Sequence, residues 1–264
     1  MVDTPGFDDT TRSDSEILDE IGQYLVAQYE LGIKLRGIIY MHRITDNKMQ
    51  GSAQRYFEMF KRLVGDQNLG NIVLLTTMWN QLKDEGVGLQ RDQQLREDFW
   101  NVMEQKGSQI RSYKGSKHQA EAIVCRLMRK RSIILDIQRE LVDEGKTLEQ
   151  TTAGELVLPR LEEAIENTKN QIVEFDRRIA KATDMQEMRE VETLQKGRAA
   201  AYRQQELDLN RRERLRTRPG VEVSQKINQK KKSEKWKDRL SMFASLLGLA
   251  ISMTVNVILP LAGV

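Results

Sequence analysis

The chain of 264 residues is 39% apolar and 31% charged with a mean hydropathy of -0.58, long enough for one ordinary domain plus something extended but too polar for a uniformly packed globule. Its formal charge of +3 is a local property, because between Arg211 and Arg239 twelve Lys or Arg stand against four Asp or Glu while the remainder is net acidic. A single cysteine, Cys125, excludes an internal disulfide framework and fits a reducing compartment, and its neighbours Ile123, Val124, Leu127 and Met128 mark it as a buried apolar residue rather than a nucleophile.

The first element is a turn, Asp3-Thr4-Pro5-Gly6, followed by Phe7-Asp8-Asp9-Thr10. An Asp-x-x-Gly turn at the end of a buried strand is the corner of a nucleotide switch, where the Asp holds Mg²⁺ through water and the Gly amide meets the γ-phosphate. Only Met1 and Val2 precede Asp3, so the strand that should carry it is almost wholly missing and the chain reads as a truncated nucleotide-binding domain. The alternative is a plain turn, with Pro and Gly at favoured positions. Asp8, Asp9 and Asp14 are expected to be solvated loop and helix N-terminal carboxylates. Asp3, Asp8 and Asp9 occupy the place of a basic and then apolar leader, so no signal peptide is expected.

Ser13 and Glu16 form a capping box, and Ile17, Ile21, Tyr24 and Leu25 recur with helical period until Gly32. Gly37-Ile38-Ile39-Tyr40-Met41 and Asn71-Ile72-Val73-Leu74-Leu75 are short apolar runs of the kind that fill a parallel sheet covered on both faces. Tyr56, Phe60, Leu63 and Val64 mark a helix between them that stops at Gly65, giving a strand-helix-strand crossover. Leu95, Phe99, Val102 and Met103 outline a further helix ending at Gly107, a weak strand lies near Gln109 to Tyr113, and Ala120 to Met128 is helical again. This alternation predicts an α/β doubly wound domain to about residue 150.

From Leu158 the spacing changes. Leu161, Ile165, Thr168, Ile172, Phe175, Ile179 and Ala182 continue a strict 3,4 repeat, which predicts coiled coil. The register fails at Met185 and Met188, Gln204 to Arg218 is charged without a seam, and Pro219-Gly220 is a breaker before a basic solvated helix or linker. Leu240 to Val264 has no charged residue, and at helical rise it would span about 37 Å against a hydrocarbon core of about 30 Å. With Lys230, Lys231, Lys232, Lys235, Lys237 and Arg239 before it and Trp236 at the interface, it is expected to be a transmembrane tail anchor. A buried hairpin or amphipathic segment packed on the coiled coil is the alternative.

Thr76-Thr77-Met78-Trp79-Asn80 follows the second apolar run, where open α/β sheets place their ligands. GTPases read guanine there with Asn or Thr, Lys, any residue, then Asp. Asn80 stands at the Asp position and Met78 at the Lys position, so the bidentate carboxylate pair is lost and guanine selectivity should weaken. Trp79 reads as a packing residue. No Gly-x-x-x-x-Gly-Lys-Ser/Thr occurs in the chain. His42 and His118 lack companions at ligand spacing, and the basic run lacks the interleaved aromatics that would favour nucleic acid.

Taken together, Asp3 to Thr10, the block Gly37-Ile38-Ile39-Tyr40-Met41-His42-Arg43-Ile44-Thr45-Asp46-Asn47 and Thr76-Thr77-Met78-Trp79 resemble the septin-like (paraseptin) G domains. The resemblance runs to about Ala153 and extends to uncharacterised fungal G-domain proteins, which share the His-Arg-Ile-x-Asp-Asn block and the segment from Ile137 to Leu148. It implies the C-terminal part of a P-loop NTPase-type sheet lacking its phosphate-binding loop, with GTP and Mg²⁺ as cofactors. By motif match Asp3 would be the Mg²⁺-linked carboxylate, Gly6 the γ-phosphate sensor beside Thr4, and Thr77 to Asn80 the guanine-side loop. The fungal relatives more usually have Asp where Asn80 stands.

The expected division is residues 1–153 as the C-terminal part of a G domain, 154–218 as a coiled coil or charged helix, 219–239 as a basic linker and 240–264 as a transmembrane tail anchor. The expected function is a GTP-binding protein on the cytosolic face of an intracellular membrane, hydrolysing GTP in a full-length form and self-associating through its G domain or coiled coil. The alternative is a nucleotide-free, membrane-tethered coiled-coil scaffold with a degenerate G domain.

Overall fold

The computed structural model describes Val2, residues 12–46, Met49 and residues 51–233. The protein is mostly helical around one small parallel sheet. In chain order the regular elements are α1 (Asp14–Glu30), β1 (Ile38–Arg43), α2 (Ser52–Val64), β2 (Ile72–Thr77), α3 (Glu85–Gln94), α4 (Asn101–Gln105), β3 (Gln109–Ser112), α5 (Lys117–Met128), the short α6 (Asp136–Gln138), α7 (Gly154–Asp184), α8 (Met188–Leu215) and α9 (Pro219–Ser233). A π-helical turn, Leu95–Trp100, joins α3 to α4, and a second, Arg139–Asp143, follows α6.

The sheet has the order β1-β2-β3 with both pairs parallel, Ile38 facing Ile72 and Val73 facing Gln109. Alternation decides which face each side chain serves. Ile72 and Leu74 of β2 enter the main core with Ile17, Leu18, Phe57, Phe60 and Ile137, while Val73 and Leu75 form a smaller cluster with Leu127 of α5. β2 is therefore buried on both faces, which is why its sequence is a continuous apolar run rather than an alternating one. On β1, Tyr40 meets Phe57 and Phe60 at ring-centroid distances of 5.1 and 4.9 Å. α1 begins with the expected capping box: the Ser13 side chain accepts from the Glu16 N–H, and the Glu16 carboxylate accepts from the Ser13 N–H at 2.9 Å.

Where a coiled coil is expected, the chain forms an antiparallel pair of long helices, α7 and α8. Pairing of Arg178 with Glu190, Asp176 with Arg198 and Glu162 with Arg212 fixes the opposite directions of α7 and α8, and Gln186, with φ 58, turns the corner. All eight seam residues from Leu158 to Ala182 are buried or half-buried. The apolar residues at the root of the hairpin, Leu158, Leu161, Ile165 and Leu215, join the main core. At the outer end Phe175, Ile179, Ala182, Val191 and Leu194 form a separate cluster. α8 carries a seam of its own, Leu194, Ala201, Asp208 and Leu215, all buried at heptad steps. α9 lies where a basic solvated linker is expected, yet it buries Val223 and Ile227 in the main core.

Two further expectations need correction. Cys125 is exposed, because α5 covers only one face of the sheet through Leu127 and Ile123, and Cys125 points away from that side. The transmembrane helix and tail-anchored localisation also fail to appear: among the described residues no helix is long and apolar enough to cross a membrane. Residues 240–264, to which the span was assigned, lie outside the described residues, and no membrane span is assigned to the protein.

Candidate functional site

Three loops meet at the C-terminal edge of the sheet: Ile44–Asp46 after β1, Met78–Gln81 after β2 and Tyr113–Ser116 after β3. Backbone hydrogen bonds lace them together. The Ile44 N–H donates to the Thr77 carbonyl at 3.0 Å and the Tyr113 N–H to the Thr76 carbonyl at 2.8 Å. The Thr77 hydroxyl reaches back to the His42 carbonyl at 3.3 Å. In open parallel sheets the C-terminal edge is where ligands bind.

Helix α3 braces two of the loops with adjacent residues. Arg91 donates to the Ile44 and Thr45 carbonyls at 3.0 and 2.9 Å, holding the loop after β1. Asp92 accepts from the Thr76 hydroxyl at 3.1 Å, and that same oxygen accepts from the Trp79 indole N–H at 3.1 Å. Arg96 closes the chain by donating to the other Asp92 oxygen at 2.7 Å. Trp79 is buried against α3, where Gly88 makes room: a Cβ at Gly88 would stand 2.9 Å from a ring carbon. On its other side the Lys114 ammonium lies 5.6 Å from the ring centroid while pairing with Glu85.

Between the braced residues sits Met78, left-handed at φ 62 and ψ 26. For a residue with a Cβ this conformation costs about 1–2 kcal/mol, so the surroundings must over-determine it. Met78 and Asn80 are exposed and Thr77 is half-buried. Thr77, the last residue of β2, and Asn80, on the loop that follows, thus lie close together at the C-terminal edge of the sheet.

At the end of β1, His42 is buried with its ring edge-on to Trp100 at 6.2 Å. Burial lowers its pKa from the ordinary imidazole value, with Asp46 opposing and Arg43 reinforcing the shift, which favours the neutral ring. The Trp100 indole N–H is buried without a hydrogen-bond partner among the described residues.

Asp3, Thr4 and Gly6 lie outside the described residues, while Val2 immediately before them packs against the main core. Asp14 is not a solvated carboxylate: Arg55 and Arg160 hold it at 3.1 and 3.2 Å. Among the described residues no group of three His, Cys, Asp or Glu is placed to hold a metal ion. Arg91, Asp92, Arg96 and Lys114 escaped the sequence reading, because each sits on a charged stretch whose spacing does not separate a brace from a solvated face.

No protein-family model matches the chain, and no curated protein or solved structure is significantly similar to it. The GTPase and P-loop identity expected from the sequence gains no support from these comparisons.

Proposed function

We propose that this chain carries the base-recognising part of a guanine-nucleotide-binding domain of the septin-like kind. One observation supports it above the rest: three parallel strands in sequential order put Thr77 to Asn80 and Lys114 on adjoining loops at the common C-terminal edge. The residues there fit a purine base. The exposed Asn80 carboxamide offers one acceptor to a ring N–H and one donor to a ring carbonyl, and Lys114 on the adjoining loop adds a cation. The Mg²⁺ side of the reading belongs to Asp3 by resemblance, outside the described residues.

Since the chain has no Gly-x-x-x-x-Gly-Lys-Ser/Thr loop, affinity should come from the base rather than the phosphates. In a titration of fluorescently labelled GTP with Mg²⁺, saturable binding is expected, with GDP and guanosine competing about as well as GTP and ATP much less well. Absence of binding even at millimolar nucleotide would defeat the reading.

A second reading, a nucleotide-free scaffold built on the helical hairpin, is favoured by the separate apolar cluster at the outer end of α7 and α8. Self-association through α7 would then use faces other than the seam that α8 covers. Retained self-association in a chain that binds no nucleotide is the outcome that selects it.

A further inference from the structure

We propose that Asp92 is a positioning residue for the base-side loop, acting through the Thr76 hydroxyl and the Trp79 indole to hold the left-handed turn at Met78 and so the presentation of Thr77 and Asn80. The part of this inference that concerns base choice rests on the guanine-binding reading; the part that concerns loop geometry does not.

A threonine hydroxyl has one proton to give and lone pairs to receive. Thr76 is fully buried at the end of β2, with two acceptors in reach: the Asp92 carboxylate at 3.1 Å and the Arg111 carbonyl at 3.4 Å. The carboxylate is both nearer and charged, so it takes the proton and turns the oxygen's lone pair toward the indole N–H. Asp92 is itself fixed, since Arg96 occupies its second oxygen at 2.7 Å and the side chain is largely shielded from water. The relay therefore runs from a helix anchored on the sheet to a buried ring.

That ring controls the strained residue. Met78 is bounded on one side by Thr77, whose hydroxyl is tied to the His42 carbonyl, and on the other by Trp79, which is locked edge and face by Thr76, Gly88 and Lys114. With both neighbours fixed, the connecting residue has no choice but φ 62. Release of Trp79 would let Met78 relax toward ordinary backbone angles, and Asn80, two residues further on, would turn with it.

The test uses the whole chain carrying ¹⁵N-labelled tryptophan, with the Trp79 indole resonance identified by its loss in Trp79→Phe. Thr76→Val removes both bonds of the relay and should speed indole N–H exchange at Trp79 by about 10-fold. Asp92→Ala leaves the hydroxyl only the Arg111 carbonyl and should give a smaller acceleration. Thr76→Ser and Asp92→Asn each keep a usable donor or acceptor, so both should exchange like the wild type. In parallel, the preference for GTP over ATP should narrow in Thr76→Val and Asp92→Ala and persist in the two conservative variants. A purely structural role would lower the affinity for both nucleotides alike and leave that preference unchanged. Equal exchange in all five proteins, or a preference unaltered in Thr76→Val and Asp92→Ala when the wild type does bind, overturns the assignment. A wild type that binds neither nucleotide removes the guanine reading, and the exchange series then decides the role of Asp92 alone.

Discussion

At the scale of single residues, Asn80 is the position where chemistry and resemblance disagree. A carboxylate there accepts from both the ring N–H and the exocyclic amine of guanine, whereas a carboxamide can accept only one of them. Because Asn80 is exposed and has no packing role, Asn80→Asp should leave stability unchanged within about 0.5 kcal/mol. It should strengthen guanine binding by about 1–2 kcal/mol, the worth of one charge-assisted hydrogen bond. Competition between GTP and inosine triphosphate, which lacks the exocyclic amine, reads this directly: the variant should prefer GTP where the wild type does not. An Asn80→Asp protein with wild-type selectivity would mean that the loop does not face a base. The loop was legible in the sequence because it follows an apolar strand. Asp92 and Lys114 were not, because a polar side chain that braces another reads like one that faces water until the fold brings the two together.

Individual elements were legible to the extent that their residues were apolar. β2 announced itself as a run of four apolar residues, Ile72 to Leu75, because both of its faces are covered, and α7 through its 3,4 spacing. α8 did not, since two of its four heptad steps are filled by Ala201 and by Asp208, which survives burial by pairing with Arg211 at 2.7 Å and Gln204 at 3.0 Å. The break in register at Met185 and Met188 was the sign of a chain reversal rather than of frayed pairing. The outer half of this hairpin stands on its own cluster, so a cavity there should be felt locally. Leu194→Ala should cost about 2–4 kcal/mol in that segment, seen as faster amide hydrogen exchange from about 172 to 200. Amides of β1 and β2 should keep their wild-type protection. Equal acceleration in the sheet would show the hairpin and body to be one cooperative unit.

At the scale of the whole molecule, α9 packs back on the main core, which the charge pattern concealed. A segment rich in lysine and arginine reads as a linker, and only Val223 and Ile227, one turn apart, betray a buried side. The return is fixed at several points. Gly220 passes so close to the second π-helical turn that a Cβ would meet the Leu141 carbonyl oxygen at 2.3 Å, the Leu148 N–H donates to the Thr217 carbonyl at 3.3 Å, and Ser224 donates to Glu30 at the end of α1 at 2.8 Å. Between these polar ties, Val223 and Ile227 enter the same core as Ile72 and Leu74 of the central strand. Burying two aliphatic side chains of this size contributes about 3–6 kcal/mol, a large share of the stability of a domain. The double substitution Val223→Asp with Ile227→Asp should therefore destabilise the sheet and not merely release α9. In urea, the fluorescence of the fully buried Trp100 and the far-ultraviolet circular dichroism should shift together to a lower midpoint. If α9 detaches while the Trp100 transition stays where it was, the helix is an appendage, and the body from α1 to α8 holds its fold without it.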